Sequence, residues 1–385
     1  MIFQKPLRTL VSSLLGIVLC NCAYPTEPIN HPNNRPASLV DQNIKLGMNY
    51  NWWRFDPDTI KDCKAHPAAV FRGNWLLPKY EDKSVRDTVK QHLIEMRKSG
   101  FTMLKIIVPH SHPEPRRKDG GYLFSTDGSL AKEDKIKLQN FITDIVSAGF
   151  DTIEVAYGFF KHGPHKSYKH RAKKMMVQKG DDIEKTNDPM GLEEYWRFID
   201  ESTRAIMSVA GKTTLIFDLR LEAACAASNM DAISLMNTKR YVQTLGGRFQ
   251  TTFGNHWLFS CPHSPPNKVG HHRVDLLLQF LKEGGLRPKY VEFHNYLKSQ
   301  EDIFSALDDA EAAAKQIDAY VIYGEMLYHS EQQASIIAKW LAQNPDSRVF
   351  SLMQWPKQAP SYGCQMNIGP PFTPGPLGNY LHTPN

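Results

Sequence analysis

Hydrophobic positions along the chain follow two alternating periods. Short apolar runs typical of strands are each followed by a segment whose apolar residues recur every three or four positions, as on one helical face. Val85, Val89, Leu93 and Met96 form one such face, and Gly100 ends it. The strand-like runs are Leu46–Trp52, Met103–Pro109, Thr152–Tyr157, Thr214–Leu221, Arg248–Phe253, Lys289–Tyr296, Ala319–Gly324 and Arg348–Trp355. The pattern predicts eight strands with seven helices between them.

Strands that alternate with helices favour parallel pairing through right-handed crossovers, and eight such units close into a (β/α)8 barrel, the TIM-barrel architecture. A doubly wound open sheet is the alternative, but no Gly-rich phosphate motif follows the first predicted strand. After Trp355 the chain is rich in Pro and Gly, so an eighth helix should be short or displaced. We therefore expect residues 41–385 to form one barrel of the α/β class, with functional residues where its strands end.

Residues 1–23 have the pattern of an export signal. Two basic residues precede an apolar run that is too short to span a bilayer. Cys20 and Cys22 resemble a lipoprotein attachment site, although neither follows the usual small residue, and cleavage near Ala23 is the alternative. Residues 24–40, with many Pro and Asn, are predicted to be a tether. We expect an exported protein that is periplasmic, secreted or an outer-membrane lipoprotein.

Four further cysteines remain in the chain predicted to be exported, and an even number there favours disulfides. Cys225 and Cys261 follow the predicted fourth and fifth strands, which are neighbours. Cys63 and Cys364 follow the first and eighth strands, which become neighbours when a barrel closes. The sequence therefore predicts the bridges Cys225–Cys261 and Cys63–Cys364.

Alternation along the strands directs charged side chains into the predicted barrel. Asp218 and Arg220 lie opposite the leucines of the fourth strand, and Glu292 lies opposite the apolar residues of the sixth. Charged groups inside a barrel need partners. We expect these residues to form a satisfied network that includes Lys105 or Glu154.

Glu222 and Glu325 differ from the deeper acids because each ends its strand and opens onto the rim. Two carboxylates across a barrel mouth can act as acid and base on a bond held between them. Hydrolysis of a glycosidic bond requires such a pair, with one carboxyl protonated and the other ionised.

The rim residues resemble clan A of the glycoside hydrolases, most closely family 5. The similarity lies in carboxylates ending the fourth and seventh strands, His294 and Tyr296 ending the sixth, and Trp355 ending the eighth, and it covers roughly residues 46–355. The resemblance implies a retaining hydrolase of β-linked oligo- or polysaccharides. It further implies that His294 and Tyr296 orient the nucleophile and the substrate, and that Trp355 is a platform for the sugar.

The same resemblance implies that Glu222 is the general acid/base and Glu325 the nucleophile. In a retaining enzyme these two carboxyl groups should lie about 5–5.5 Å apart. Leu221 departs from the family pattern, which usually has an Asn there that binds the sugar 2-hydroxyl. This departure leaves an altered substrate contact and a loss of catalysis as alternatives.

Aromatic residues outside the strands are candidates for sugar stacking. Trp52 and Trp53 follow the first predicted strand, and Trp257 follows the fifth. The alternative for the two neighbouring tryptophans is a small apolar core under a long loop.

His110 and His112, after the second predicted strand, raise two alternatives. One is a metal-dependent barrel hydrolase, and the other is a rim histidine that binds substrate or a neighbouring loop. The eighth strand ends in Gln354, Trp355 and Pro356 without an acidic ligand, which disfavours a catalytic metal. We expect no cofactor and no metal.

Composition and charge narrow the possible classes of protein and ligand further. The chain has 385 residues, of which 41% are hydrophobic, so it has enough apolar material for a core and is not a disordered or collagen-like chain. Its formal net charge is +6, and the segment 161–179 contains seven Lys and Arg residues without an acid. This segment is either a basic lid for an anionic polysaccharide or envelope surface, or a solvated loop.

We expect a monomer that binds carbohydrate but not nucleic acid, and that contacts a membrane only through an N-terminal lipid. The alternatives to hydrolysis by two Glu residues are a non-catalytic carbohydrate-binding barrel of the cell envelope and a metal-dependent hydrolase.

Overall fold

A computed structural model was obtained for the full chain. It describes residues 44–51, 76–111, 123–124, 129–159, 190–220, 232–262, 272–295, 297, 299–326, 331–355 and 372. All of them lie within one compact unit, Arg35–Asn385. The segments proposed as export signal and tether, the basic segment 161–179 and the chain beyond Trp355 except Phe372 lie outside the described residues.

Parallel strands form a barrel in the described part of the chain, which confirms the predicted (β/α)8 architecture. The strands are β1 (Lys45–Asn49), β2 (Met103–Ser111), β3 (Leu123–Phe124), β4 (Thr152–Phe159), β5 (Thr214–Asp218), β6 (Trp257–Leu258), β7 (Ser260–Pro262), β8 (Tyr290–Asn295), β9 (Tyr320–Met326) and β10 (Val349–Gln354). Their order is β6-β5-β4-β2-β1-β10-β9-β8-β7, and β3 pairs with β2 off this path.

The barrel closes through one interrupted strand. β6 pairs with β5, with Phe217 opposite Trp257 and Asp218 opposite Leu258. After Phe259, β7 pairs with β8 on the other side, beginning with Ser260 opposite Glu292. β6 and β7 together therefore act as the fifth of eight barrel strands, and every barrel strand has a neighbour on each side.

The sequence placed this fifth strand at Arg248–Phe253, and that prediction is wrong. These residues are the last turns of a helix, and the strand begins four residues later at Trp257. Phe249 and Phe253 are spaced by four, so both can pack on one helical face, and their rings lie 4.9 Å apart. The other seven predicted strands overlap observed ones.

Seven α-helices cover the outside of the barrel in the described ranges. They are α1 (Lys83–Lys98), α2 (Lys132–Ser147), α3 (Met190–Met207), α4 (Ala232–Phe253), α5 (His272–Glu283), α6 (Gln300–Ile317) and α7 (Glu331–Gln343). Capping sets several of their ends: the Asp82 carboxylate accepts from Ser84 N at 2.8 Å, and Ser299 Oγ accepts from Asp302 N at 3.1 Å. Asp318 ends α6 in the left-handed region, with φ 55°.

Two apolar clusters result from strand alternation. The larger cluster lies between the strands and the helices, and the predicted face of α1 belongs to it. The smaller one fills the barrel interior near the beginnings of the strands: Met103, Ile216, Leu258, Tyr290, Ile322 and Met353. Of the helices in the ranges given above, none has the length and apolar character needed to cross a bilayer.

Candidate active site

A layer of charged residues lies inside the barrel above the apolar floor. Lys105 of β2, Glu154 of β4, Asp218 of β5 and Glu292 of β8 are each 0% exposed. Their strands place them there by alternation, because the adjacent residues Val155, Phe217, Val291 and Phe293 face the outer core. Asp218 and Glu292 of the predicted network therefore lie in one layer with both Lys105 and Glu154, whereas Arg220 is half-buried and donates its backbone N–H to Asp218.

Lys105 is the centre of this layer. Its Nζ lies 2.9 Å from Glu154 Oε1 and forms an ion pair with Glu292 Oε1. One ammonium therefore faces two carboxyl groups, with no solvent exposure for any of the three. Burial lowers the pKa of Lys105, but the charges of Glu154 and Glu292 outweigh that effect and hold its pKa above the usual range.

The two carboxyl groups beside Lys105 have pKa values shifted in opposite directions because their partners differ. Burial raises the pKa of both. For Glu292 this is outweighed by the Lys105 charge and by the hydrogen bond from His294, which lower its pKa to about 2. For Glu154, burial, the Glu292 charge and a hydrogen bond with the Glu292 carboxyl outweigh the effect of Lys105, so its pKa is held well above the usual range. The pKa of Glu292 is thus lowered and that of Glu154 raised, although both carboxyl groups lie beside the same lysine.

Asp218 connects the charged layer to the interrupted strand. Its Oδ1 accepts from Ser260 N at 3.1 Å and from Arg220 N at 3.1 Å. Burial and the Glu292 charge raise the pKa of Asp218 to about 6, although Lys105 and Ser260 act in the opposite direction. The side chain can therefore change its charge near neutral pH.

Glu325 and His294 form the part of the site nearest the rim. Glu325 lies on β9 one residue before its end, and 12% of its side chain is exposed, whereas the deeper acids have none. His294 Nδ1 lies 3.6 Å from Glu325 Oε2, and His294 Nε2 lies 3.1 Å from Glu292 Oε1. The imidazole therefore lies between the rim carboxylate and the charged layer.

Two residues that sequence reasoning did not select shape this region. Asn49, at the end of β1, donates from Nδ2 to the carbonyl of Gly324 at 2.7 Å. A Cβ added to Gly324 would lie 1.5 Å from Glu292 Oε1, so only glycine leaves room for that carboxylate beside the β9 backbone. A glycine inside a predicted strand, one residue before a rim carboxylate, was the available signal.

Several predicted site residues can be placed only in part. Trp355 directly follows β10 and is half-buried, with its ring packed against the outer core. The backbone of His110 pairs β2 with Phe159 of β4, but its side chain is outside the described set. Glu222, Tyr296, Trp52 and Trp53 lie outside the described residues, as do Leu221 and three of the paired cysteines: Cys63, Cys225 and Cys364.

Trp257 and Cys261 are corrected by the structure, and one cause accounts for both. They lie within the fifth barrel strand rather than after it, and each is 0% exposed in the core between strands and helices. Trp257 therefore cannot stack on a sugar. Cys261 is a buried thiol in the described structure, and the predicted bridge to Cys225 is not formed. The side chains of Trp257 and Cys261 point toward the helices and therefore away from the rim where sugar stacking and the bridge were predicted.

No group of three or more His, Cys, Asp or Glu within the described residues is arranged to hold a metal ion. His112, one of the two histidines behind the metal alternative, is outside that range.

Comparisons with known proteins agree on the fold. No protein-family model matches the chain, and no curated protein matches it in sequence. Among solved structures it is similar to a GH5-4 broad-specificity endoglucanase from Clostridium longisporum, with TM-score 0.54, 12% identity and coverage of 90% of this chain and 97% of the other.

Two further solved structures give the same result. An intracellular xylanase from Thermoanaerobacterium saccharolyticum has TM-score 0.51, 9% identity and coverage of 90% and 97%. A β-mannanase from the blue mussel Mytilus edulis has TM-score 0.51, 11% identity and coverage of 88% and 91%. At these identities the likeness establishes the barrel fold, and any activity must be argued from the site.

Proposed function

We propose that the protein is a retaining glycoside hydrolase that acts on a β-linked oligo- or polysaccharide. The observation that carries the proposal is Glu325, a partly exposed carboxylate at the rim end of β9 with His294 beside it. Similarly folded proteins named endoglucanase, xylanase and mannanase support the choice of reaction class. The order of Glu222, His294, Tyr296, Glu325 and Trp355 along the chain supports it independently.

The proposed reaction has two displacements. A Glu325 oxygen attacks the anomeric carbon while Glu222 donates a proton to the leaving oxygen, so a glycosyl ester forms and the glycosidic bond breaks. Glu222 then takes a proton from a water molecule, which attacks the same carbon and releases Glu325 as a carboxylate. Tyr296 and His294 orient Glu325, and Trp355 supports the sugar ring.

Covalent trapping tests the role of Glu325 directly. A 2-deoxy-2-fluoro glycoside with a good leaving group slows both steps, so the glycosyl ester should accumulate and remain attached during peptide mass mapping. We expect the label on the peptide that contains Glu325, and no label in Glu325→Gln. Glu325→Gln should also reduce kcat roughly 10³-fold or more.

Glu331→Gln is a matched control because it makes the same change at an exposed Glu at the start of α7. Label on another carboxylate would contradict the assignment of the nucleophile. If the wild type binds glycans but hydrolyses none of a broad panel of glycans and aryl glycosides, the non-catalytic carbohydrate-binding barrel is the better description.

We further propose that the protein is exported and that its substrate is anionic. The apolar run in residues 1–23 supports export, and the seven basic residues of segment 161–179 support an anionic ligand. Cell fractionation checks the first proposal. For the second, neutralising the basic residues should weaken binding of acidic glycans but not of neutral ones; equal loss for both would contradict it.

A further inference from the structure

His294 lies between two carboxylates that belong to different layers of the barrel. Its Nε2 is 3.1 Å from Glu292 Oε1 below it, and its Nδ1 is 3.6 Å from Glu325 Oε2 at the rim. Only 1% of the residue is exposed, so no solvent competes for these two ring nitrogens. Of the two carboxylates, Glu292 is therefore the one within hydrogen-bond distance of the ring, whereas the Glu325 contact is longer.

Glu292 can only accept a hydrogen bond, because it is ionised. Lys105 contacts the same Oε1 that faces His294, and both partners stabilise the negative charge. An ionised carboxylate has no proton to donate, so the Nε2 atom that faces it must carry the hydrogen. This leaves Nδ1 as the nitrogen that faces Glu325.

We propose that Glu292 is a positioning residue: by accepting the Nε2 hydrogen of His294 it fixes the ring and its tautomer, and so determines what Nδ1 presents to Glu325. The Lys105–Glu292 pair then acts on the rim through His294 without contacting a ligand. The tautomer of His294 does not depend on any activity of the protein, whereas the effect of Glu292 on turnover rests on the proposed hydrolase function.

Glu154 provides a matched comparison within the same layer. Both Glu154 and Glu292 are fully buried and lie beside Lys105, but Glu292 is the one in contact with His294. Burial and the Glu292 charge raise the pKa of Glu154 and so favour its neutral form, and Gln has nearly the same shape as a neutral Glu side chain. Asp218 of β5 also faces the Glu292 charge, and Glu325 of β9 acts on Lys105; both stay unchanged in the two variants.

Nitrogen-15 NMR of histidine-labelled protein measures the tautomer without any need for activity. The chain has 15 histidines, so the His294 signals are assigned by their loss in His294→Gln. We expect a hydrogen on Nε2 across neutral pH in the wild type and in Glu154→Gln. In Glu292→Gln the new amide can also donate, so the Nδ1–H form should appear. The same His294 tautomer in all three proteins would overturn the proposal.

Glu292→Gln leaves Lys105 without its ionised partner, which can prevent folding. Lys105→Gln combined with Glu292→Gln removes both charges and keeps the interior neutral. We expect the double variant to recover the thermal midpoint lost in Glu292→Gln but to keep the altered tautomer. A double variant with the wild-type tautomer would show that Glu292 does not set it.

Kinetics separate this inference from the proposed function. We expect Glu292→Gln to reduce kcat by up to about a hundredfold with little change in KM and to displace one limb of its pH profile. Glu154→Gln should keep the wild-type profile. If no glycan is hydrolysed, the hydrolase proposal fails while the NMR result still decides the tautomer. If turnover is present and Glu292→Gln keeps the wild-type pH profile, the positioning role fails.

Discussion

Two glutamates within reach of one lysine have pKa values shifted in opposite directions in this barrel. Glu154 and Glu292 are both fully buried, so desolvation acts on each, and the deciding difference is the second donor that His294 gives to Glu292. A buried ion pair contributes little net stability in general, because desolvation offsets the attraction. At the scale of single residues, we therefore interpret the layer as an arrangement that sets the pKa values of its members, and not as a source of net stability.

Asp218 gives a prediction about the pH dependence of stability. The pKa of its folded state is raised to about 6, so between about pH 4 and pH 6 the folded protein holds a proton that the unfolded chain has lost. Its contribution to the free energy of unfolding therefore falls as pH rises through this window. Asp218→Asn removes this dependence and keeps an oxygen for Ser260 N.

We expect the difference in free energy of unfolding, Asp218→Asn minus wild type, to increase by up to roughly 3 kcal/mol between pH 4 and pH 7. Urea denaturation at a series of pH values measures the difference. A difference that stays constant over this range would contradict the raised pKa.

At the scale of elements, helix α4 depends on a close approach to the fifth strand. A Cβ on Gly246 would lie 2.8 Å from the Trp257 ring and 2.9 Å from Leu286. A Cβ on the next residue, Gly247, would meet nothing closer than Leu286 at 3.9 Å. The two neighbouring glycines therefore have different reasons to be present, although the sequence shows only a Gly-Gly pair.

We expect Gly246→Ala to destabilise the fold by about 1–3 kcal/mol, because the added methyl overpacks the core against Trp257. Gly247→Ala should instead stabilise it by about 0.5–1 kcal/mol, since alanine is the better helix former. Chemical denaturation of both variants checks the pair. Equal effects at the two positions would mean that α4 does not pack on Trp257 as described.

Elements with a clear hydrophobic period were predicted correctly, and the exception has a local cause. Arg248–Phe253 contains β-branched Thr251 and Thr252 between two phenylalanines, a composition that suits a strand, yet tertiary packing keeps it helical. Because of this error, Trp257 and Cys261 were predicted to follow the fifth strand, whereas both lie within it and are buried.

Side-chain alternation predicted which strand residues face the barrel interior, and Glu292, His294 and Glu325 lie where the pattern of β8 and β9 puts them. The rim residue Glu222 is outside the described residues. The pattern could not reveal which acids have raised and which have lowered pKa values, because that depends on contacts between strands far apart in the chain. Lys105 and Glu292 are separated by 187 positions in the sequence.

At the scale of the whole molecule, the seam formed by β6 and β7 contains two of the shortest strand pairings in the described barrel wall, and β1 and β2 also share only three positions. β2 and β4 are in register over eight positions, from Met103 to His110 on β2. β5 and β6 share two such positions, and β7 and β8 share three. Opening the seam therefore breaks fewer backbone hydrogen bonds than opening any long pair of strands.

We expect native-state hydrogen exchange to be faster at residues 257–262 than along β2 and β4. Because residues 257–261, 103–109 and 152–158 are all buried, the difference between them reports local opening and not surface exposure. Mass spectrometry of peptic fragments under native conditions can measure it. Equal protection of the seam and of β2 would indicate that the barrel opens only as a whole.

The apolar floor of the barrel also decides how anything can reach its interior. Met103, Leu258 and Met353 belong to a group of six side chains that are at most 2% exposed and meet across the axis near the strand starts. The charged layer of Lys105, Glu154, Asp218 and Glu292 lies above this floor and is also fully buried, so side chains fill the described barrel interior. A ligand of Glu325 would therefore lie across the rim and not along the barrel axis.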